Sequence, residues 1–349
     1  MMTNGIQGTT MFRGLLALAV ALEHADLFGV GYFPLLIGRS AVIGFFVLSG
    51  WVMAWYFYSN NRTMNKETLI DFYSRRIFRL GPLLILNFLL VSLLMGKFFW
   101  WELAGLLPIN IYAPPKFFNL VLWTLFVEIQ FYIFVPWLVF WVKKSSWGIK
   151  QHLLLYIFVF LAPRFIDVFL LKVPVDSAQD PRSFLGTFSY FYAGLVFCHF
   201  CVFKARSPFF GQVNQNVWMM LLGSGLLAAV FFPINHILYF WGGVHAIVFM
   251  SLCAIELSRR YWPNFKDQVQ GCLRGLWILG EVSYGYYIFH GFWLGILEND
   301  VLQRFGLEIT RKSWQGAVCL IVIPLGMALI SSYLIEKPIA KLRLNFNGV

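Results

Sequence analysis

The sequence predicts an all-α membrane protein, a polytopic bundle of about ten transmembrane helices. Hydrophobic residues make up 59% of the 349 residues, charged residues make up only 12%, and the mean hydropathy is +0.70. A typical soluble domain carries about 25% charged residues, so this composition excludes that class. Aromatic residues, which belong to that hydrophobic share, make up 19% of the chain, and their Trp and Tyr members favour membrane interfaces.

Apolar runs of about twenty residues, long enough to cross a bilayer as helices, indicate the individual spans. Placing the N-terminus in the cytoplasm puts 18 of the 27 Lys and Arg residues on the inner side. Because inner loops carry an excess of these cations, we expect both termini to be cytoplasmic. We also expect one membrane-embedded domain over residues 1–349, with no appended soluble domain. The predicted spans are 11–33, 40–58, 80–99, 118–142, 151–171, 184–203, 214–233, 236–257, 275–297 and 314–335.

The net charge of +11 arises from cations in short loops between apolar runs. This placement indicates membrane topology, and no nucleic-acid partner is expected. The five cysteines lack the spacing of a disulfide framework or a metal site, so no metal is expected either.

The first span contains ionisable residues in an otherwise apolar run. Arg13 and His24 are eleven residues apart, which returns to within about 20° of the same helix face. Glu23 and Asp26 flank the histidine. Ionisable groups are costly in hydrocarbon unless they line a cavity or are paired, which indicates a functional interior. The alternative is that Arg13 extends to the lipid headgroups and His24 is a packing residue.

The second span is followed by the segment DFYSRRIFRLGP, which we expect to be an inner loop with Pro82 breaking or starting the next helix. It carries Arg75, Arg76 and Arg79, and the last two share a helical face. Three guanidiniums here could set the topology, bind lipid phosphates or bind a phosphorylated ligand.

Polar stripes also mark the fourth and ninth spans. Thr124, Glu128 and Tyr132 recur every four residues, and the glutamate requires a partner such as His24, Arg13 or Arg76. Near the C-terminus, Glu336, Lys337 and Pro338 are expected to end the tenth span. In the ninth span, the face predicted to form the wall of a polar cavity carries Ser283, Tyr287 and His290.

Six segments in a fixed order resemble the acyltransferase-3 family of integral membrane O-acyltransferases. Together they extend over almost the whole chain. They are Arg13-Gly14 with His24 eleven residues later, FFVLSG at Phe45 to Gly50, RRIFRLGP at Arg75 to Pro82, LWTLFVE followed by QFY between Leu122 and Tyr132, SYGYYIFH at Ser283 to His290, and SYLIEKP near the C-terminus.

The resemblance implies an enzyme that moves an acyl group, usually acetyl, from cytoplasmic acyl-coenzyme A to a sugar hydroxyl. Membrane lipids and a carbohydrate or lipid-linked saccharide acceptor are the implied partners, and the bacterial inner membrane is the implied location. His24 resembles the catalytic base or acyl relay, and Glu128 resembles the buried carboxylate of the fourth helix. The cations implied to bind the donor are Arg13, Arg75, Arg76 and Arg79. The residues expected to line the substrate cavity are Glu23, Asp26, Trp123, Tyr132, Ser283, Tyr287 and His290.

The chain departs from the family pattern in two places. Ile129 stands where a second acid is frequent, and the frequent extracytoplasmic hydrolase-like domain is not expected here. Two other functions remain open. A proton-coupled transporter or flippase could use Glu128, His24 and His290 as a relay, and a non-catalytic subunit could share the fold.

Overall fold

The computed structural model describes residues 4–25, 37–58, 62–96, 118–166, 184–203, 244–261, 272–309 and 313–346, and these residues form helices joined by short turns, without a β-strand. The helices of the first half are α1 (Asn4–Ala25), α2 (Ile37–Tyr58), α3 (Lys66–Met95), α4 (Leu122–Lys144) and α5 (Ile149–Phe165). The helices of the second half are α6 (Phe184–Cys198), α7 (Val244–Tyr261), α8 (Cys272–Glu281), α9 (Ser283–Glu298), α10 (Trp314–Ala317), α11 (Ile323–Ser331) and α12 (Lys337–Phe346).

The described helices confirm an all-helical membrane protein. Two shorter apolar helices, Ile149–Pro163 and Ile247–Glu256, accompany the long ones. The count of ten spans stays a prediction, and the predicted span 214–233 lies outside the described residues. Within the described ranges, five helical segments are long and apolar enough to cross a bilayer, namely Ser40–Tyr58, Lys66–Met95, Leu122–Lys144, Phe184–Cys201 and Trp314–Leu342.

The prediction of an inner loop at DFYSRRIFRLGP is wrong, because α3 begins at Lys66 and includes this segment. Asn65 caps the helix by accepting a hydrogen bond from the backbone N–H of Thr68 at 2.8 Å. This cap satisfies one of the N–H groups left open at a helix start. Pro82 lies inside the helix, so the three arginines project from a rigid element.

The ninth and tenth predicted spans also differ from the structure. The ninth is interrupted at Val282, where α8 ends and α9 begins. The tenth does not end at Pro338. Instead, π-helical turns Val318–Val322 and Ser332–Glu336 join α10, α11 and α12 into one segment over 314–346. Pro338 is the second residue of α12, and proline is tolerated in the first turn of a helix.

Glycines allow α2 and α6 to pack with their backbones in contact. A Cβ on Gly50 of α2 would collide with the carbonyl of Phe191 in α6, and one on Gly194 of α6 would collide with the carbonyl of Val47. The backbones of α2 and α6 therefore approach each other closely at Gly50 and Gly194. Small residues at such crossings are typical of membrane bundles.

Gly280 provides a stability test of the packing between α1 and α8. A Cβ here would collide with the carbonyl of Thr10, whereas one on Gly275 of the same helix would meet nothing within 4 Å. We expect Gly280→Ala to lower the free energy of unfolding by about 1–3 kcal/mol through overpacking. Gly275→Ala should keep or raise it, because alanine is the better helix former. Thermal unfolding in detergent compares the two variants, and equal midpoints would contradict the close crossing.

A buried asparagine pair connects α9 to the rest of the bundle. Asn119 Nδ2 donates to Asn87 Oδ1 at 2.8 Å and to the Ile288 carbonyl at 3.0 Å. Tyr284 of α9 donates to the Leu80 carbonyl of α3 at 2.6 Å. These bonds fix α9 against α3 and the start of α4, which places the stripe of α9 beside the arginines of α3.

Candidate active site

A polar cavity lies between α1, α2, α3, α4 and α9, and we call it the arginine cavity. Apolar side chains of α2, including Phe45, Phe46 and Val52, form part of its wall. It therefore brings together residues from four predicted spans with Arg76 and Arg79, which the sequence placed in a loop. Its polar lining consists of Arg13, Ser49, Arg76, Arg79, Thr124, Glu128, Ser283, Tyr284 and Tyr287.

Glu128 is held by two hydroxyl groups. Ser49 Oγ and Tyr132 Oη each donate to Glu128 Oε1 at 2.8 Å. The spacing of four residues puts Glu128 and Tyr132 on one face of α4, as the sequence predicted. Among the described residues, no guanidinium lies within the 4.0 Å of an ion pair with this carboxylate. The direct partners of Glu128 are thus hydroxyls, and the histidine and arginines named from sequence are not bonded to it.

The cavity carries more positive than negative charge. Arg13, Arg76 and Arg79 line it together with the single carboxylate Glu128, within the part of the chain that the structure describes. The three guanidiniums lie close enough to repel one another electrostatically, while Glu281 and Glu128 attract Arg13. Nε of Arg13 and Nε of Arg76 are buried without a hydrogen-bond acceptor among the described groups. Buried donors without acceptors are costly, so this lining suits an anionic ligand.

Aromatic rings hold the Arg76 guanidinium. Its Cζ lies 5.2 Å from the centroid of Phe72 and 5.3 Å from that of Tyr132. Guanidiniums stack favourably on aromatic faces. Tyr132 thus contacts both Glu128 and Arg76, which couples the carboxylate of α4 to the cation of α3.

Arg75 points to a different place from Arg76. Its Nε donates to both carboxylate oxygens of Asp71, at 3.0 and 3.1 Å, across one turn of α3. Arg62 pairs with the same carboxylate at 2.9 Å, and Tyr56 donates to it at 2.7 Å. The assignment of Arg75 to the donor stays a prediction, but Arg75 is not part of the arginine cavity lining.

A second polar group joins the end of α1 to α9. His24 Nδ1 lies 2.7 Å from His290 Nε2, and His290 Nδ1 lies 2.9 Å from the carbonyl oxygen of Leu320. The two residues are 266 positions apart in the chain. His290 is 1% exposed, so α9 holds one histidine inside the bundle against the other. We call these residues the histidine pair.

The α9 stripe leads from the arginine cavity to the histidine pair. Ser283 and Tyr287 line the cavity, and His290 follows Tyr287 by three residues, about 4.5 Å along the axis. On α1, Arg13 lines the cavity and His24 lies eleven residues beyond it, about 16 Å along the axis. The faces predicted on α1 and α9 therefore meet at the histidine pair, and α1 separates Arg13 from His24 along its axis.

The remaining sequence-predicted site residues have separate positions. Glu23 Oε2 accepts a hydrogen bond from the backbone N–H of Gly38 at 2.6 Å, which joins α1 to the start of α2. Trp123 is not part of the arginine cavity lining and meets Phe46 edge to face at 6.2 Å. Asp26 lies outside the described residues.

The structure adds two residues to the site. Ser49 lies in the FFVLSG segment of α2, and its hydroxyl binds Glu128. Glu336 was interpreted as a helix end, and its Oε1 is buried without a hydrogen-bond donor among the described groups. It also lies close enough to Arg79 to attract that cation electrostatically. The sequence contained one indication that Glu336 belongs to a site, because it is the only acidic residue after Glu308.

Within the described residues, no three His, Cys, Asp or Glu side chains are close enough to hold a metal ion. A family model described as an acyltransferase domain, the acyltransferase-3 model, matches residues 8–337. The match covers nearly the whole chain and confirms the resemblance drawn from the six segments. Neither the comparison with curated proteins nor the comparison with solved structures gives a match.

Proposed function

Because this chain belongs to the acyltransferase-3 family, we propose that it is an integral membrane O-acyltransferase of the bacterial inner membrane. It moves an acyl group, acetyl in the simplest case, from cytoplasmic acyl-coenzyme A to a sugar hydroxyl of a cell-surface or lipid-linked polysaccharide. The observation that carries the proposal is the arginine cavity, with its excess of guanidiniums, connected along α9 to the histidine pair.

The arginine cavity is the proposed site for the anionic part of the donor. Coenzyme A carries phosphate groups, and guanidiniums bind phosphate oxygens through paired, charge-assisted hydrogen bonds. The buried Nε donors of Arg13 and Arg76 supply such bonds. Glu128, held by Ser49 and Tyr132, limits the repulsion among the cations while the cavity is empty of ligand.

His24 is the proposed general base. The rise of about 16 Å between Arg13 and His24 matches an extended donor whose phosphates lie at the arginines and whose thioester points toward the histidine. With both termini cytoplasmic, His24 lies toward the outer side, where an envelope saccharide can approach. This arrangement separates donor binding from proton transfer along the helix axis.

The transfer then needs two proton movements and one exchange of bonds. His24 takes the proton of the sugar hydroxyl while the hydroxyl oxygen attacks the thioester carbonyl carbon. The tetrahedral adduct collapses, the carbon–sulfur bond breaks, and the thiolate of coenzyme A leaves with the proton that His24 had taken, which regenerates the base. A hydroxyl of the α9 stripe stabilises the oxyanion. Exclusion of water by the bundle protects the thioester from hydrolysis.

The test is a transfer assay with two readouts. Membranes carrying the protein, and membranes lacking it, receive acetyl-coenzyme A with a radiolabelled acetyl group, and both labelled glycan and free coenzyme A are measured. We expect label in the glycan and an equal amount of free coenzyme A only with the protein present. A transporter using Glu128, His24 and His290 as a relay would instead move solute without consuming the donor, and that result would overturn the proposal.

A further inference from the structure

The histidine pair has a geometry that defines the role of each nitrogen. The ring centroids are 4.9 Å apart and the ring planes differ by 14°, while the facing nitrogens are 2.7 Å apart. The centroids are thus farther apart than the nitrogens by about one ring width, so the rings lie side by side in nearly one plane. A ring nitrogen donates and accepts within the ring plane, so this is the arrangement of an N–H···N hydrogen bond.

The backbone determines the direction of that bond. The Leu320 carbonyl oxygen can only accept, so His290 Nδ1 carries the proton that bonds to it at 2.9 Å. In a neutral imidazole the other nitrogen then accepts, which makes His290 Nε2 the acceptor of the pair. His24 Nδ1 must therefore donate. In neutral His24, Nε2 is consequently the nitrogen with the lone pair.

On this basis, we propose that His290 is the positioning residue of the transferase, and that it fixes His24 in the tautomer whose Nε2 takes the proton of the acceptor hydroxyl. The inference rests on the proposed function, since it assigns His290 a role in that reaction. His290 acts through His24 and does not itself exchange a proton with the substrate. The second partner of a catalytic histidine commonly sets its tautomer in this way.

The Leu320 carbonyl belongs to the π-helical turn Val318–Val322. Hydrogen bonds in such a turn run between residues five apart, so its carbonyls leave the regular α-helical ladder. Single π-helical turns are frequent at functional sites. The turn presents this carbonyl to His290, which shares the interior of the bundle with the buried Leu320. The series of hydrogen bonds from the Leu320 carbonyl through His290 to His24 thus begins at a rigid backbone group.

The first test measures the tautomers without any enzymatic reaction. The full-length protein, labelled with ¹⁵N in its six histidines, is studied by NMR at neutral pH in lipid nanodiscs. The signals are assigned by their loss in His24→Ala and His290→Gln. We expect His24 to show a protonated Nδ1 and an unprotonated Nε2, and His290 to show the same pattern. A protonated Nε2 on His24, or two protonated nitrogens on either ring, would overturn the assignment.

The second test compares two replacements of His290 in the transfer assay. His290→Phe keeps a ring but removes both nitrogens, whereas His290→Gln keeps an acceptor for His24. We expect His290→Phe to lower kcat at least about tenfold, with the KM for the donor within about twofold, because an incorrectly held catalytic histidine can cost up to about 10⁴-fold. His290→Gln should recover most of this loss. In the ¹⁵N spectrum, His24 should lose its single tautomer in the Phe variant and keep it in the Gln variant.

The control is His152→Phe, which removes a buried histidine bonded to Tyr192 at 2.7 Å, away from the arginine cavity and the histidine pair. It should leave kcat within about twofold, so that it measures the general cost of losing a buried imidazole. A His290→Phe variant with wild-type kcat, or a Gln variant no better than Phe, would overturn the proposal. If the wild-type protein transfers no acyl group, the proposed function fails, and the NMR spectrum still decides the tautomer.

Discussion

Replacing His24 with alanine is expected to lower acyl transfer at least about 100-fold, because general-base catalysis by a side chain contributes about 10²–10⁴-fold. The side chain is hydrogen-bonded to His290 and lies at the end of the α9 stripe. Its removal leaves the acceptor hydroxyl protonated when it reaches the thioester. Donor binding should persist, since the cavity arginines are unchanged and Arg13 lies about 16 Å from His24 along α1.

The measurement is the rate of label transfer from acetyl-coenzyme A, normalised to the amount of folded protein in the membrane. Size-exclusion chromatography in detergent checks that His24→Ala folds as the wild type does. Binding of donor, measured with a radiolabelled non-hydrolysable thioether analogue, should stay within about threefold, because the cavity cations are unchanged. Equal transfer by the two proteins would show that His24 is not the catalytic base.

Replacing Arg76 with glutamine is expected to raise the KM for the donor by about 10–100-fold. Hydrogen bonds to charged groups contribute about 1.5–3 kcal/mol, and each 1.4 kcal/mol corresponds to a factor of ten. Arg76 lines the arginine cavity between two aromatic rings, with its Nε buried. Glutamine keeps part of the packing and removes the positive charge. The loss should therefore appear in donor affinity more than in kcat.

The adjacent Arg75 provides the matched comparison. Arg75→Gln removes the same charge from the next position of α3, but it breaks the ion pair with Asp71 instead of altering the cavity lining. We expect a KM for the donor within about threefold of wild type and, because the Arg75 side chain is 40% exposed, a small loss of stability. Lys150→Gln, at an exposed position, controls for the overall change of charge. Equal KM increases in the two arginine variants would contradict the division between cavity and ion pair.

Periodicity along a helix was readable from the sequence, because the helix geometry is local. The recurrence of Thr124, Glu128 and Tyr132 placed these residues on one face of α4, and the structure confirms that face. The start of α3 was not predicted, because an apolar-window count cannot detect a polar first turn. That turn depends on the Asn65 cap and on neighbours such as Tyr56, which donates to Asp71.

The partners of the ionisable residues were not readable from sequence. The sequence offered His24, Arg13 and Arg76 as partners of Glu128, and the structure places Ser49 and Tyr132 there. Arg75 and Arg76 are neighbours in the chain, yet one turns to Asp71 and the other to the cavity. Adjacent residues differ by about 100° around a helix axis, so the rotation of the helix within the bundle decides which one enters a site.

By itself, the sequence determined that this is a helical membrane protein of the acyltransferase-3 family, and which charged and polar residues lie in apolar surroundings. The family segments and the apolar runs are local patterns, so no packing was needed to find them. Only the tertiary structure decided that His24 meets His290 across 266 positions of the chain. It likewise decided that Glu128 shares a cavity with three arginines and is not bonded to His24. Such contacts depend on how closely helices approach and how they are rotated, and glycines that touch a facing backbone control that approach.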